Sequence, residues 1–90
     1  MPRPLTSRAD VERYVFNMLR EHYVGPEVTL TLDTTLAELE RAYDPELYGT
    51  DPTLSIEDDL GLEIPEADAA RLDKGRIGDL VDYVVKRLRL

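Results

Sequence analysis

The sequence has no cysteine. Disulfides, thiolate metal sites and cysteine nucleophiles are therefore excluded. It has no apolar run of signal-peptide length at Met1-Pro2-Arg3-Pro4-Leu5, and no stretch approaches the roughly 20 apolar residues of a membrane span. A soluble cytoplasmic protein is the default expectation. There is no phosphate-binding glycine loop: Gly25, Gly49, Gly61, Gly75 and Gly78 are scattered, and each reads as a turn or a close approach. There is no repeat, low-complexity segment or internal linker. Histidine occurs once, as His22. It falls at the end of a predicted helix, where the dipole favours its charged form, so it reads as a capping or surface residue. Nothing marks a nucleophile elbow. These shortages point away from an enzyme, and no catalytic residue is assigned.

Basic residues are scarce in the middle of the chain. Residues 24–70 hold 13 acids and one base, Arg41, a net of −12. The two ends together carry 10 bases and 6 acids, so the whole chain has a net charge of −8. An acidic middle repels phosphate backbones and anionic lipid, which excludes nucleic acid and membrane surfaces as expected partners. It attracts a basic protein surface and speeds encounter with it. Ninety residues make one domain with a single small core. The expectation is a loose arm over residues 1–6 and one helical domain over residues 7–90.

Within that domain, Ser7 can cap a helix, with Asp10 placed to help its dipole. Val11, Tyr14, Val15, Met18 and Leu19 then recur at helical spacing, which predicts an amphipathic helix over about residues 8–22. Val24-Gly25-Pro26 ends it. Val28, Leu30 and Leu32 alternate with threonines, yet no partner strand is evident, so this run reads as an extended loop pinned by its apolar side chains. Thr35 and Glu38 form a capping-box pattern for a short helix over about residues 36–43, presenting Leu36, Leu39 and Tyr43 to the core. Asp44-Pro45 can start a short turn. Asp51-Pro52 starts a clearer helix, running to Leu60 with Gly61 as its left-handed terminator. Pro65 opens a short turn through Leu72. Ile77, Leu80, Val81, Val84, Val85 and Leu88 mark the last helix, and Lys86, Arg87 and Arg89 suit its C-terminal dipole. The fold class is all-α, a small helical bundle.

Particular stretches narrow this further. Ile56-Glu57-Asp58-Asp59-Leu60-Gly61-Leu62-Glu63-Ile64-Pro65 resembles the end of helix II of the acyl and peptidyl carrier proteins. Ile77-Gly78-Asp79-Leu80-Val81-Asp82-Tyr83-Val84 is similar to the start of the family's helix IV, and Val28-Thr29 through Thr34-Thr35-Leu36 to the loop after its helix I. The resemblance covers about residues 7–88. It implies a four-helix carrier-like bundle, here with an extra turn or short helix in the long first loop. The family's signature, Gly-x-Asp-Ser-Leu, is absent. Its serine takes the phosphopantetheine arm. Matching the motif to Gly49-Thr50-Asp51-Pro52-Thr53-Leu54 puts Pro52 where the serine would stand. Counting back from Pro65 without gaps puts Glu46 there. Neither register gives a hydroxyl after the aspartate, and Thr53 and Ser55 are the nearby alternatives for a displaced attachment.

The resemblance therefore implies a carrier-like protein without its arm. Asp51, Glu57, Asp58, Asp59 and Glu63 are expected to attract a basic surface of a biosynthetic enzyme, with Leu54, Ile56 and Leu62 giving apolar contact at the centre. No cofactor is assigned; phosphopantetheine would require Thr53 or Ser55. The acidic run is not a metal site, because neighbouring helical carboxylates diverge by about 100° per residue and calcium-loop spacing is missing. Tyr14 and Tyr83 are expected at core edges. Tyr48 is either a packed loop tyrosine or a cover for an acyl-sized cleft. Two alternatives differ in function: a genuine acyl or aminoacyl carrier with a displaced attachment residue, and an acidic helical immunity or inhibitor protein that plugs a basic active site.

Overall fold

The apolar periodicity of the two long helices builds the frame on which the rest is hung. The structure, a computed structural model, describes residues 5–25, 27–42 and 52–90, apart from the side chains of His22, Ala42 and Pro52. Helix α1 spans Arg8–His22. Ser7 is in extended backbone, and its Oγ accepts the Asp10 amide at 3.3 Å. Asp10 in turn accepts from the backbone amide and the hydroxyl of Thr6, at 3.0 and 2.9 Å. One capping serine and one acid thus fix the start of the helix, as the sequence suggests. Val11, Val15, Met18 and Leu19 are buried.

Helix α2 spans Leu36–Ala42. The Glu38 amide donates to Thr35 Oγ1 at 3.1 Å, so the threonine of the expected capping box caps it. Leu36 and Leu39 face the core. The turn expected at Asp44-Pro45, together with Tyr43, Glu46, Tyr48, Gly49 and Asp51, lies outside the described residues. Helix α3 is Pro52–Leu60. Gly61 follows it with φ 65°, a left-handed conformation that a side chain would strain. Helix α4 spans Glu66–Asp73, a fuller helix than the short turn expected after Pro65. Helix α5 spans Ile77–Leu88. Its Ile77, Leu80, Val81 and Val84 are fully buried.

Helix α1 packs against α5 and α3, and α2 packs against α4. The core is continuous, running from Val11 on α1 through Leu39 and Ile56 to Val84 on α5. Burying each large aliphatic side chain contributes about 1.5–3 kcal/mol before the entropy of ordering it is counted. Among the described residues there are five helices and no strand, so the fold is all-α. Val28, Leu30 and Leu32 are partly buried against the core in a loop that turns at residues 27–28 and 32–33 rather than running extended, and among the described residues it has no partner strand. None of the described helices is long and apolar enough to cross a membrane.

Three backbone bonds clasp this loop to the start of α5. The Leu36 amide donates to Gly75 O at 3.0 Å, Ile77 to Thr34 O at 2.8 Å and Gly78 to Leu32 O at 2.8 Å. The amides at the first turn of α5 would otherwise be orphans. Gly78 lets the two backbones meet, because a Cβ there would lie 3.1 Å from Leu32 O. The clasp sets where α2 and α5 begin relative to one another. The long connection between α1 and α2 is thereby pinned to the frame.

Candidate functional site

Helix α3 divides its residues between core and solvent over little more than two turns. Thr53, Ser55 and Ile56 are buried, at 6%, 7% and 0% exposure. Leu54 is 55% exposed, the most exposed large apolar side chain among the described residues. Asp58 lies one turn on from Leu54, so the two share the outward stripe. Glu57 is half-buried, while Asp59 and, beyond the helix, Glu63 are exposed. Leu62 is partly buried and packs against the core.

Of the residues the sequence nominates, Leu54, Glu57, Asp58 and Asp59 are therefore brought together on one helix, with Glu63 just after it. Ile56 is not. It was expected at the centre of the apolar contact, and instead it fills the core. The reason is geometric: Leu54 and Ile56 are two positions apart, about 200° around a helix, and cannot face the same way. Asp51 lies outside the described residues.

The electrostatics of α3 run against its dipole. The helix has no acid in its first turn and no base in its last, while Glu57, Asp58 and Asp59 crowd toward its C-terminal end. There the unpaired carbonyls already give a partial negative charge, and each nearby acid costs about 0.3–1 kcal/mol. One of these acids is engaged. Tyr14 of α1 donates its hydroxyl to Asp59 Oδ2 at 2.7 Å. Burial pushes the Tyr14 phenol well above its ordinary range, and the bond to the Asp59 carboxylate raises it further. The neutral, donating form of Tyr14 is thus held in place and ties α1 to the acidic end of α3. A tyrosine at the edge of an apolar helix face is the signal for such a contact, since its ring packs and its hydroxyl seeks a partner. Its partner, 45 residues away, is invisible to local spacing.

Thr53 and Ser55, the two nearby hydroxyl residues, are turned inward with little surface. Among the described residues no three histidine, aspartate or glutamate side chains converge to hold a metal ion.

A second polar cluster lies on α4 and α5. Asp68 accepts from Arg71 at 3.0 Å on one oxygen and from the Tyr83 hydroxyl at 2.9 Å on the other. Arg87 donates to the same Tyr83 oxygen at 2.7 Å, with its guanidinium 5.6 Å from the ring centroid. Desolvation raises the Tyr83 phenol above its ordinary value, the bond to Asp68 adds to this, and Arg87 opposes it. From sequence these cations read only as partners of the α5 dipole. Their meeting with Arg71 depends on how α4 packs. No protein-family model matches the chain, and no curated protein is similar to it.

Proposed function

We propose that this chain is a non-enzymatic, acyl-carrier-protein-like interaction module that docks a basic surface of a biosynthetic enzyme through α3. One observation carries the reading. The acids of α3 gather at the helix end where they oppose the dipole, beside an apolar side chain left in solvent. Apart from Asp59, which Tyr14 engages, neither feature helps the isolated domain. A sequence that breaks local rules in two ways at one place does so where function outweighs stability.

On this reading α1, α3, α4 and α5 are the four helices of a carrier bundle, and α2 is the short extra helix of its long first loop. Glu57, Asp58, Asp59 and Glu63 steer a cationic partner into register, with Asp51 extending the acidic run in sequence. Leu54 then supplies apolar contact, flanked by Leu62, whose remaining surface is small. Charge of this kind acts mainly on the rate of encounter and on specificity. The arm-bearing serine is replaced, and the inward placement of Thr53 and Ser55 supports a carrier fold used for recognition alone.

Intact-mass measurement tests the loss of the arm. The protein is incubated with a broad-specificity phosphopantetheinyl transferase and coenzyme A, alongside a known carrier as control. No mass gain is expected, and a gain of one arm would overturn the reading. Glu57→Lys with Asp58→Lys tests the docking face. The double variant should weaken capture of the enzyme that the wild-type protein binds and flatten its salt dependence; unchanged capture refutes the face.

A further inference from the structure

The facing ends of α4 and α5 enclose a cleft of opposite character to α3. Its volume is about 410 Å³, and it is lined by Asp68, Arg71, Tyr83, Lys86, Arg87 and Arg89. Four cations and one carboxylate therefore meet there, in a chain whose net charge is −8. We propose that this cleft binds a small phosphate-bearing anion of the diphosphate class. The proposal does not depend on the role of α3.

Helix capping does not account for the cations. Two of the last carbonyls of α5 are met by backbone amides: Arg89 donates to Lys86 O at 3.2 Å and Leu90 to Val85 O at 3.0 Å. The side chains of Lys86 and Arg89 are not needed for those two bonds, and Arg87 is turned to Tyr83 instead. The nearby acids are partly committed elsewhere. Asp82 is paired with Arg8 of α1. Asp79 accepts the Arg76 amide at 2.9 Å at the start of α5. Only Asp68 reaches the cleft. It holds Arg71 directly and positions Arg87 through the Tyr83 hydroxyl. Lys86 and Arg89 make no ion pair among the described residues.

This arrangement suits a compact ligand with several negative oxygens. Arg71 and Arg87 are fixed forks, able to bond two oxygens of one phosphate, while Lys86 is an adjustable point charge. A single carboxylate would leave most of the positive charge unmatched; two linked phosphates would not. The volume lies within the range of small-molecule sites. A second hollow of about 310 Å³ adjoins the cleft, sharing Arg71, Tyr83 and Lys86 and adding Leu72, Asp79 and Asp82. It offers room for a neutral or hydrogen-bond-donating organic group attached to the phosphates, since its two carboxylates would repel further anionic oxygens.

The test uses the full chain and inorganic pyrophosphate as the probe. Amide proton–nitrogen correlation spectra are recorded during a titration held at constant ionic strength with sodium chloride. Saturable shifts confined to α4 and α5 are expected. Lys86→Glu should weaken binding about tenfold. Lys74→Glu, the same charge change at an exposed position outside the cleft, should leave it within about twofold. Absence of saturable shifts, or equal weakening in both variants, would overturn the proposal, the latter because binding would then follow overall charge.

Discussion

Replacing Tyr14 with phenylalanine removes one oxygen and one bond, the 2.7 Å donation to Asp59 that joins α1 to α3. A bond to a charged group contributes about 1.5–3 kcal/mol, but Asp59 is exposed, and the lower value of about 1 kcal/mol is the working figure. That corresponds to about a fivefold drop in the folding constant. The ring stays, so the core edge is preserved. The same oxygen carries a pH signature. The Tyr14 phenol is raised above its ordinary value of 10.0, chiefly by burial and then by Asp59. The folded chain therefore holds this proton more tightly than the unfolded one. The resulting stabilisation is complete below about pH 10 and is lost as pH rises beyond it toward the folded value. Urea unfolding at neutral pH and at about pH 11 separates the two contributions. The wild-type protein should lose more stability between these conditions than Tyr14→Phe does, because other tyrosines contribute equally to both. Equal stability at neutral pH together with parallel alkaline loss would refute the role assigned to this bond.

Two further expectations concern the core and the start of α1. Ile56→Ala should destabilise the domain by about 2–4 kcal/mol, since its side chain is wholly buried; a loss below about 1 kcal/mol in urea unfolding would mean that Ile56 is not core. Asp10→Asn should flatten the acid limb of a stability–pH curve. The Thr6 amide and hydroxyl hold the Asp10 carboxyl below its ordinary value of 3.8, so its contribution is present above that value and fades as pH falls through the folded one. An unchanged acid limb by circular dichroism would refute this.

The two long helices were legible because each repeats its apolar residues often enough to define a face. Helix α5 offers six such positions in twelve residues, and no strand pattern competes with them. Helix α4 reads from sequence only as a turn, for the opposite reason. Glu66-Ala67-Asp68-Ala69-Ala70-Arg71-Leu72-Asp73 gives the core one large apolar side chain, Leu72. Its helicity rests on alanine propensity and on the Asp68–Arg71 pair, which leave little periodicity to see. The residues nominated on α3 show a finer failure. In Leu54-Ser55-Ile56-Glu57-Asp58-Asp59-Leu60 composition suggests one apolar and acidic face, but the helical angle turns Ile56 into the core and leaves Leu54 in solvent. The links between Tyr14 and Asp59, and between Tyr83 and Asp68, are tertiary. Sequence can show that a tyrosine needs a partner, but packing chooses which acid it finds.

The clasp between residues 32–36 and 75–78 closes the intervening chain into an excursion with both feet planted on the same spot. Helices α2, α3 and α4 lie within it, and α1 and α5 stay outside as a two-helix spine. The anchoring bonds are made by backbone groups, so they ask little of side-chain identity along the excursion. Substitutions in α3 that retune the acids, or move an apolar contact by a position, leave both feet where they are. Surface chemistry on this part of the molecule can then be altered while the spine keeps its register.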